Sequence, residues 1–267
     1  MHVHFLDTYC PGNSPVHRLD GRVKLVLTLA FIFTAALTPS AAWAVYILLF
    51  ALLLSVEMLS DLGVGYVMRR AALALPFILA ALPLLFTRGD TPLIVLPFSH
   101  SWQVTIWREG TERFLSVGLK SWLSVQAAIV LASCTPFPQL LTAMRAIGIP
   151  KLLVAIFGLM WRYLFILVDE ALRLLRARAA RSGQSDMPGL RSGGSMTWRA
   201  RVAGGMAGSL FLRALERSDR VYAAMLARGY DGEVRIAPLP TLPFTHLLTL
   251  VFGLLVFLLL LLLGYLF

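Results

Sequence analysis

The sequence predicts an all-α polytopic membrane protein, with about five transmembrane helices and a cytoplasmic domain of long amphipathic helices. Hydrophobic residues make up 58% of the 267 residues and charged residues only 14%, whereas soluble domains have about a quarter charged. Several apolar runs approach the roughly 20 residues that a spanning helix needs. The net charge is +10, and most basic residues lie in one segment. This composition excludes a disordered chain and argues strongly against a water-soluble globular domain.

Five segments are predicted to span the membrane. They are Val23 to Thr38, Ala41 to Leu59, Ala71 to Phe86, Phe114 to Cys134 and Phe244 to Phe267. The third segment is short, and Pro76 and Pro83 should kink it because proline has no backbone N–H. The first four spans define a membrane domain of residues 1–134, and residues 241–267 hold the final spanning helix.

The positions of lysine and arginine predict how these spans are oriented. Fifteen of the 24 basic residues lie between Thr135 and Pro240, and the positive-inside rule places such a segment in the cytoplasm. Because four spans precede it, the N-terminus is predicted to be cytoplasmic as well. One more apolar run, Leu152 to Val168, contains Arg162. We interpret it as a helix in or under the membrane surface, because crossing there would turn most of the arginines outward.

The connection before the fourth span is predicted to form a small external β-hairpin. Leu93 to Phe98 and Trp102 to Trp107 are rich in β-branched and aromatic residues, with the polar turn Ser99-His100-Ser101 between them. The alternative is an irregular loop at the membrane interface.

Residues 135–240 are predicted to form the cytoplasmic domain, built on two long helices. The first runs from about Lys151 to Arg181, with an apolar first half and a basic second half in which Glu170 supports the helix through Arg173. Residues 183–200 are rich in glycine and serine, which indicates a flexible loop. The second helix runs from about Ala200 to Arg228.

Small residues line one face early in the second long helix. Gly204 and Gly208 lie four residues apart and are accompanied by Ala203 and Ala207. Such a face lets another helix approach closely, so both glycines are candidate helix-crossing residues. The alternative is that they reflect only the abundance of glycine in membrane proteins.

The two long helices end in the same pattern. The first closes with Ala180-Arg181-Ser182-Gly183 and the second with Ala227-Arg228-Gly229-Tyr230. In a purely structural interpretation, arginine complements the negative end of the helix and glycine caps it. The repetition favours a second interpretation. A guanidinium projecting from a helix end can bind a carboxylate bidentately, so each arginine is a candidate for insertion into an acidic groove.

These motifs together resemble the transmembrane (T) component of energy-coupling-factor transporters, and within it the CbiQ-type branch for cobalt uptake. SPVHRLDGRVKL (Ser14 to Leu25) resembles the start of the family's first span, and LLTAMRAIGIP (Leu140 to Pro150) resembles its first coupling helix. SDRVYAAMLARGYDGE (Ser218 to Glu233) closely matches the second Ala-Arg-Gly motif. ARAARSG (Ala177 to Gly183) matches the first, with Ser182 where glycine is common.

The resemblance implies a non-catalytic subunit of a complex in the bacterial inner membrane. A pair of cytoplasmic ABC ATPases would bind the arginine motifs in two grooves. The residues that the resemblance assigns to these grooves are Ala180, Arg181, Ser182, Ala227, Arg228 and Gly229. The long helices would cross and carry nucleotide-driven closure to a separate membrane subunit that binds the metal substrate. Cobalt is the implied cargo, and nickel or a vitamin is the alternative.

Patterns for chemistry within the chain itself are absent from the sequence. It contains no GxxxxGK[ST] or HExxH motif, so we predict no cofactor, no metal site and no catalytic residue, and no nucleic acid as a partner. A membrane transferase would need an acidic cluster, and Asp186, Asp219 and Asp231 are too dispersed to form one. A channel or carrier would need polar residues deep in several spans, and Glu57 is the one acidic residue well within a span.

Overall fold

The computed structural model describes residues 9–86, 91–99, 102–181, 195–231 and 241–266. The chain divides into two compact units. Of the described residues, those within 9–147 and 241–266 form one unit, and those within 148–181 and 195–231 form the other. The first unit holds all five predicted spans and the second holds the two long helices, so each is described by itself.

The first unit is built from eight helices and one pair of strands within the described residues. The helices are α1 (Pro15–Arg18), α2 (Gly21–Leu37), α3 (Trp43–Leu59), α4 (Val64–Ala71), α5 (Leu75–Ala80), α6 (Arg108–Cys134), α7 (Phe137–Ala146) and α10 (Phe244–Leu266). Short 3-10 turns at Ala72–Ala74 and Leu82–Phe86 interrupt the third predicted span. Pro83 lies within the second of these turns, as expected for a residue that cannot donate to a helical ladder.

One apolar core holds the membrane helices of this unit together. The buried side chains come from four helices and are Phe31 and Ala35 (α2), Val45, Tyr46, Leu49 and Leu53 (α3), Leu123 and Ala127 (α6), and Phe257 and Leu260 (α10). The rings of Phe31 and Phe257 meet edge to face with centroids 5.9 Å apart, a favourable aromatic geometry. The outward sides of the same helices carry exposed apolar residues such as Phe33, Ile47 and Phe252, which suits contact with lipid.

Four helices of the described residues are long and apolar enough to cross a membrane. They are Val64–Phe86, Arg108–Cys134, Lys151–Arg181 and Phe244–Leu266. The first two predicted spans form 17-residue helices, at the short end of the range for spanning helices. The helix Lys151–Arg181 is one of these four by length and composition alone, and that residues 152–168 lie in or under the membrane surface stays a prediction.

The predicted hairpin segments form two antiparallel strands, β1 (Pro92–Ser99) and β2 (Trp102–Trp107). Val95 pairs with Thr105 and Leu96 with Val104, and the register shifts once toward each end of the ladder. Of the predicted turn, His100 and Ser101 lie outside the described residues.

Glu57 is a charged residue that is buried among the helices of this unit. Its side chain is 0% exposed near the end of α3, and neither carboxylate oxygen has a hydrogen-bond partner among the residues that the structure describes. The neighbouring Ser60 hydroxyl donates to the backbone carbonyl of Glu57, at 2.7 Å, and not to its carboxylate. A buried polar group without a partner costs free energy, so this side chain should destabilise the unit.

We therefore expect Glu57→Met to raise the thermal unfolding midpoint of the detergent-solubilised protein, because it removes a desolvation cost of about 1–3 kcal/mol at similar volume. The matched control is Glu112→Met. Glu112 accepts a 3.1 Å hydrogen bond from Arg108 on an exposed turn, so its loss should change stability by at most about 0.5 kcal/mol. A lower midpoint for Glu57→Met than for wild type would show that the carboxylate has a stabilising partner.

Candidate functional site

The second unit contains two long helices, α8 (Lys151–Arg181) and α9 (Met196–Ala227). Their strongest polar contact joins Glu170 on α8 to Arg213 on α9, where the guanidinium donates to one carboxylate oxygen. The other carboxylate oxygen lies 3.9 Å from Arg173 in the next turn of α8, so the predicted local pair is present as well. The ion pair between α8 and α9 marks the place where the two helices meet.

A groove opens along the two helices on each side of this ion pair. The smaller groove, about 130 Å³, is lined by residues that include Ile166, Leu210 and Arg217. The larger groove measures about 660 Å³ and is lined by Glu170, Arg173, Leu174, Ala177, Arg178, Arg181, Trp198, Val202, Met206 and Arg213. Four arginines against one glutamate give the larger groove a positive potential, which favours an anionic partner near the end of α8.

The end of α9 has the geometry of a Schellman cap. Gly229 has a φ of +82°, the Tyr230 N–H donates to the Met225 carbonyl at 3.0 Å, and the Gly229 N–H donates to the Leu226 carbonyl at 2.9 Å. Only glycine adopts this backbone conformation without strain. Arg228 is the C-cap residue, and its side chain is exposed. The cap therefore fixes the point at which the arginine leaves the helix.

The end of α8 places the other candidate arginine in a similar position. The helix continues to Arg181, the boundary that the sequence predicts, and Arg178 shares its last turn. Ala180 and Arg181 are exposed, whereas Ser182 lies outside the described residues. Neither Arg181 nor Arg228 has an ion pair with another residue of the described segments. Both guanidinium groups are therefore available to a partner.

The contact between α8 and α9 does not use the two small residues selected from the sequence. A Cβ added at Gly204 or Gly208 would meet no atom within 4 Å in the described structure. Both glycines lie on the opposite side of α9 from Val202 and Met206, which line the larger groove. That another helix packs on these glycines stays a prediction.

Gly229→Ala should loosen the end of α9, because an L-residue in this left-handed conformation costs about 1 kcal/mol or more. In this variant we expect the backbone amides at positions 229 and 230 to exchange with solvent deuterium about five times faster than in the wild type. A free-energy change of about 1 kcal/mol produces that ratio. The control is Gly205→Ala in the interior of α9, where the space is open. Alanine favours helix there, so exchange should be unchanged or slower. Equal exchange at residues 229 and 230 in both variants would argue against the cap as the element that fixes Arg228.

Sequence reasoning did not identify the pair Glu170–Arg213. The two residues are 43 positions apart, and nothing in the local sequence of either helix indicates the other as a partner. The only available signal was the isolated acidic pair Asp169 and Glu170 in an otherwise basic half-helix. Such an acidic group needs a cationic partner when it is partly buried.

Metal-ligating residues do not come together in the described segments. No group of three or more His, Cys, Asp or Glu side chains is placed there to hold a metal ion.

A family model and several known proteins match most of the chain. The family model of CbiQ, described as "Cobalt transport protein", matches residues 12–238. The energy-coupling factor transporter transmembrane protein EcfT of Brevibacillus brevis is 28% identical over 250 residues, which cover 89% of this chain and 88% of that protein. The cobalt transport protein CbiQ of Salmonella typhimurium is 29% identical over 171 residues, which cover 61% of this chain and 71% of that protein. EcfT of Heliobacterium modesticaldum is 27% identical over 247 residues, covering 88% of each chain.

Proposed function

Since this chain belongs to the CbiQ family of cobalt transport proteins, we propose that it is the energy-coupling subunit of an energy-coupling-factor importer. Members of this family are transmembrane components of transporters. In our proposal, this member does no chemistry of its own. It transmits ATP-driven motion from a pair of cytoplasmic ABC ATPase subunits to a separate membrane subunit that binds the cargo.

The observation that carries the proposal is the pair of exposed arginines at the ends of α8 and α9. Arg181 and Arg228 have no ion pair within the described segments and each terminates a helix of more than thirty residues. A helix of that length extends about 45 Å and resists bending, so a force applied at its end is carried along it. An acidic groove on an ATPase subunit would bind such an arginine through charge-assisted hydrogen bonds.

The ion pair between Glu170 and Arg213 supports a lever-like arrangement of the two helices. It joins the helices away from both arginine motifs, so a displacement of either helix end is passed to the other helix near this contact. We place this unit and the N-terminus in the cytoplasm of a bacterial cell. This placement is supported by the fifteen basic residues between Thr135 and Pro240.

We propose cobalt ions as the cargo. The description of the matched family and the name of the Salmonella typhimurium relative both support this assignment. Other relatives are named only as EcfT, without a cargo, so nickel or a vitamin is the second candidate. In either case the cargo would be bound by the partner membrane subunit.

The test is uptake in cells that lack their own cobalt importers. The chain is expressed with candidate ATPase and cargo-binding membrane subunits from the same genome, and uptake of cobalt, nickel and labelled vitamins is compared. We expect cobalt uptake that requires this chain and ATP. Uptake of a vitamin or nickel in place of cobalt would reject the cargo, and uptake that continues without this chain would reject the coupling role.

A further inference from the structure

The last carbonyl groups of α6 have no partner within the helix, as at every helix end, and the chain that follows cannot extend the helical ladder to reach them. In a helix, the carbonyl of residue i accepts from the N–H of residue i+4. Here the residues four positions after Ala132 and Cys134 are Pro136 and Pro138, and neither has an N–H to give. Thr135, the C-cap residue, is extended, so the chain does not close the helix by a Schellman turn. The carbonyls must be satisfied from elsewhere in the molecule.

Two donors from the N-terminal region bind carbonyls at this helix end, and one of them, Lys24, serves a carbonyl that a proline faces. The Cys10 N–H donates to the Ser133 carbonyl at 3.0 Å. The Lys24 ammonium donates to the Cys134 carbonyl at 2.9 Å and to the His17 carbonyl at 3.0 Å. Lys24 is only 6% exposed. A cation at this place also complements the negative end of the α6 dipole, which offsets part of the cost of burying it.

The position of Lys24 is itself fixed by the surrounding turns. Asp20 caps α2 through a 2.9 Å hydrogen bond from the Arg22 N–H, so Lys24 lies in the first helical turn. The Ser14 hydroxyl caps α1 and lies 2.7 Å from Nδ1 of His17, which holds the carbonyl that Lys24 contacts. The ammonium therefore connects α1, α2 and the end of α6.

The helix that follows α6 packs against the same turn of α2. A Cβ added at Gly21 would lie 3.2 Å from both the Cβ and the carbonyl oxygen of Gln139, near the start of α7. Only two residues, Thr135 and Pro136, lie between Cys134, whose carbonyl Lys24 contacts, and the start of α7 at Phe137. A change in the end of α6 would therefore change the direction in which α7 begins.

We propose that Lys24 is a positioning residue for energy coupling, whose ammonium caps the last carbonyl of α6 and sets the direction of α7. The proposal rests on the proposed function and on the resemblance of the segment Leu140–Pro150 to the first coupling helix of the family. It assigns a role to the lysine of the segment Ser14–Leu25, which resembles the start of the family's first span.

The test compares Lys24→Met with Lys120→Met in the assembled complex. Methionine keeps most of the length of the side chain and removes every donor. Lys120 is the matched control, because its ammonium donates to the Ala36 carbonyl at 3.0 Å, a second contact between α6 and α2. For Lys24→Met we expect backbone amides of residues 139–146 to exchange with deuterium about tenfold faster, while amides in the middle of α10 are unchanged. Lys120→Met should leave residues 139–146 as in wild type.

A functional measurement on the same variants separates positioning from folding. We expect Lys24→Met to retain the ATPase subunits on purification and to lose about tenfold in uptake per ATP hydrolysed, and we expect Lys24→Arg, which still donates, to restore most of it. Faster exchange across the whole chain, or unchanged exchange at residues 139–146, would overturn the positioning role. Absence of ATPase subunits from the wild-type complex would instead overturn the proposed function, and the exchange result would still decide whether Lys24 holds α7.

Discussion

Arg228→Glu is expected to abolish co-purification of the ATPase subunits while the variant chain still inserts into the membrane. Arg228 is exposed at the C-cap of α9, beyond the last helical residue, so the substitution disturbs no packing within the chain. It replaces attraction to an acidic groove with repulsion. Truncating one partner of a buried charge pair in an interface costs about 2–5 kcal/mol, and reversing its sign costs at least as much.

The control for this variant is Arg220→Glu, which makes the same charge change on the same helix. Arg220 lies 4.0 Å from Glu216 in an exposed pair, and such pairs contribute little to stability. We expect it to retain the ATPase subunits. Normal recovery of ATPase with Arg228→Glu, at wild-type amounts of the chain in the membrane, would contradict the assignment of Arg228.

Simultaneous replacement of Arg181 and Arg228 by alanine is expected to uncouple ATP hydrolysis from uptake. Alanine favours helix, so α8 and α9 should keep their length, but each loses the guanidinium that would transmit force. We expect uptake to fall to background, while any ATPase activity of the partner subunits continues without it. The measurement is the ratio of cargo transported to ATP hydrolysed in reconstituted vesicles.

A second double variant, Arg176→Ala with Arg220→Ala, removes one arginine from each of the same helices. Arg176 is exposed and donates to the Leu172 carbonyl of its own helix, so neither change should affect coupling. A wild-type ratio of transport to hydrolysis in the Arg181 and Arg228 variant would reject the mechanism. A loss of the same size in both double variants would show that total charge, rather than the helix ends, matters.

Most of the architecture follows from local patterns in the sequence, but one span begins earlier than the sequence predicts. Apolar composition and the arginine at its end define α8 with the predicted bounds. The apolar helical segment that holds the third span begins at Val64 and not at Ala71, because Arg69 and Arg70 lie in the last turn of α4 and the 3-10 turn Ala72–Ala74 follows that helix directly. The guanidinium of Arg70 lies over the ring of Tyr66, 4.6 Å from its centroid, and this cation–π contact stabilises an arginine near the apolar segment.

The candidate site could be predicted only where its signal is local. The sequence Ala227-Arg228-Gly229 predicts a capped helix end because each residue acts within one turn. The pair Glu170–Arg213 and the contact of Lys24 with the Cys134 carbonyl join residues 43 and 110 positions apart. The acceptor for Lys24 is a backbone carbonyl, which no residue type reveals. Only the prolines after α6 indicated that a donor was missing there.

The most direct test of the coupling account places a photoactivatable amino acid at position 227, next to Arg228 and on an exposed site. Cells that express the whole transporter are irradiated, and the cross-linked products are identified by mass spectrometry. The account predicts a cross-link to an ATPase subunit, within a groove that carries acidic side chains. Cross-links to an extracytoplasmic protein, with none to an ATPase subunit, would contradict it.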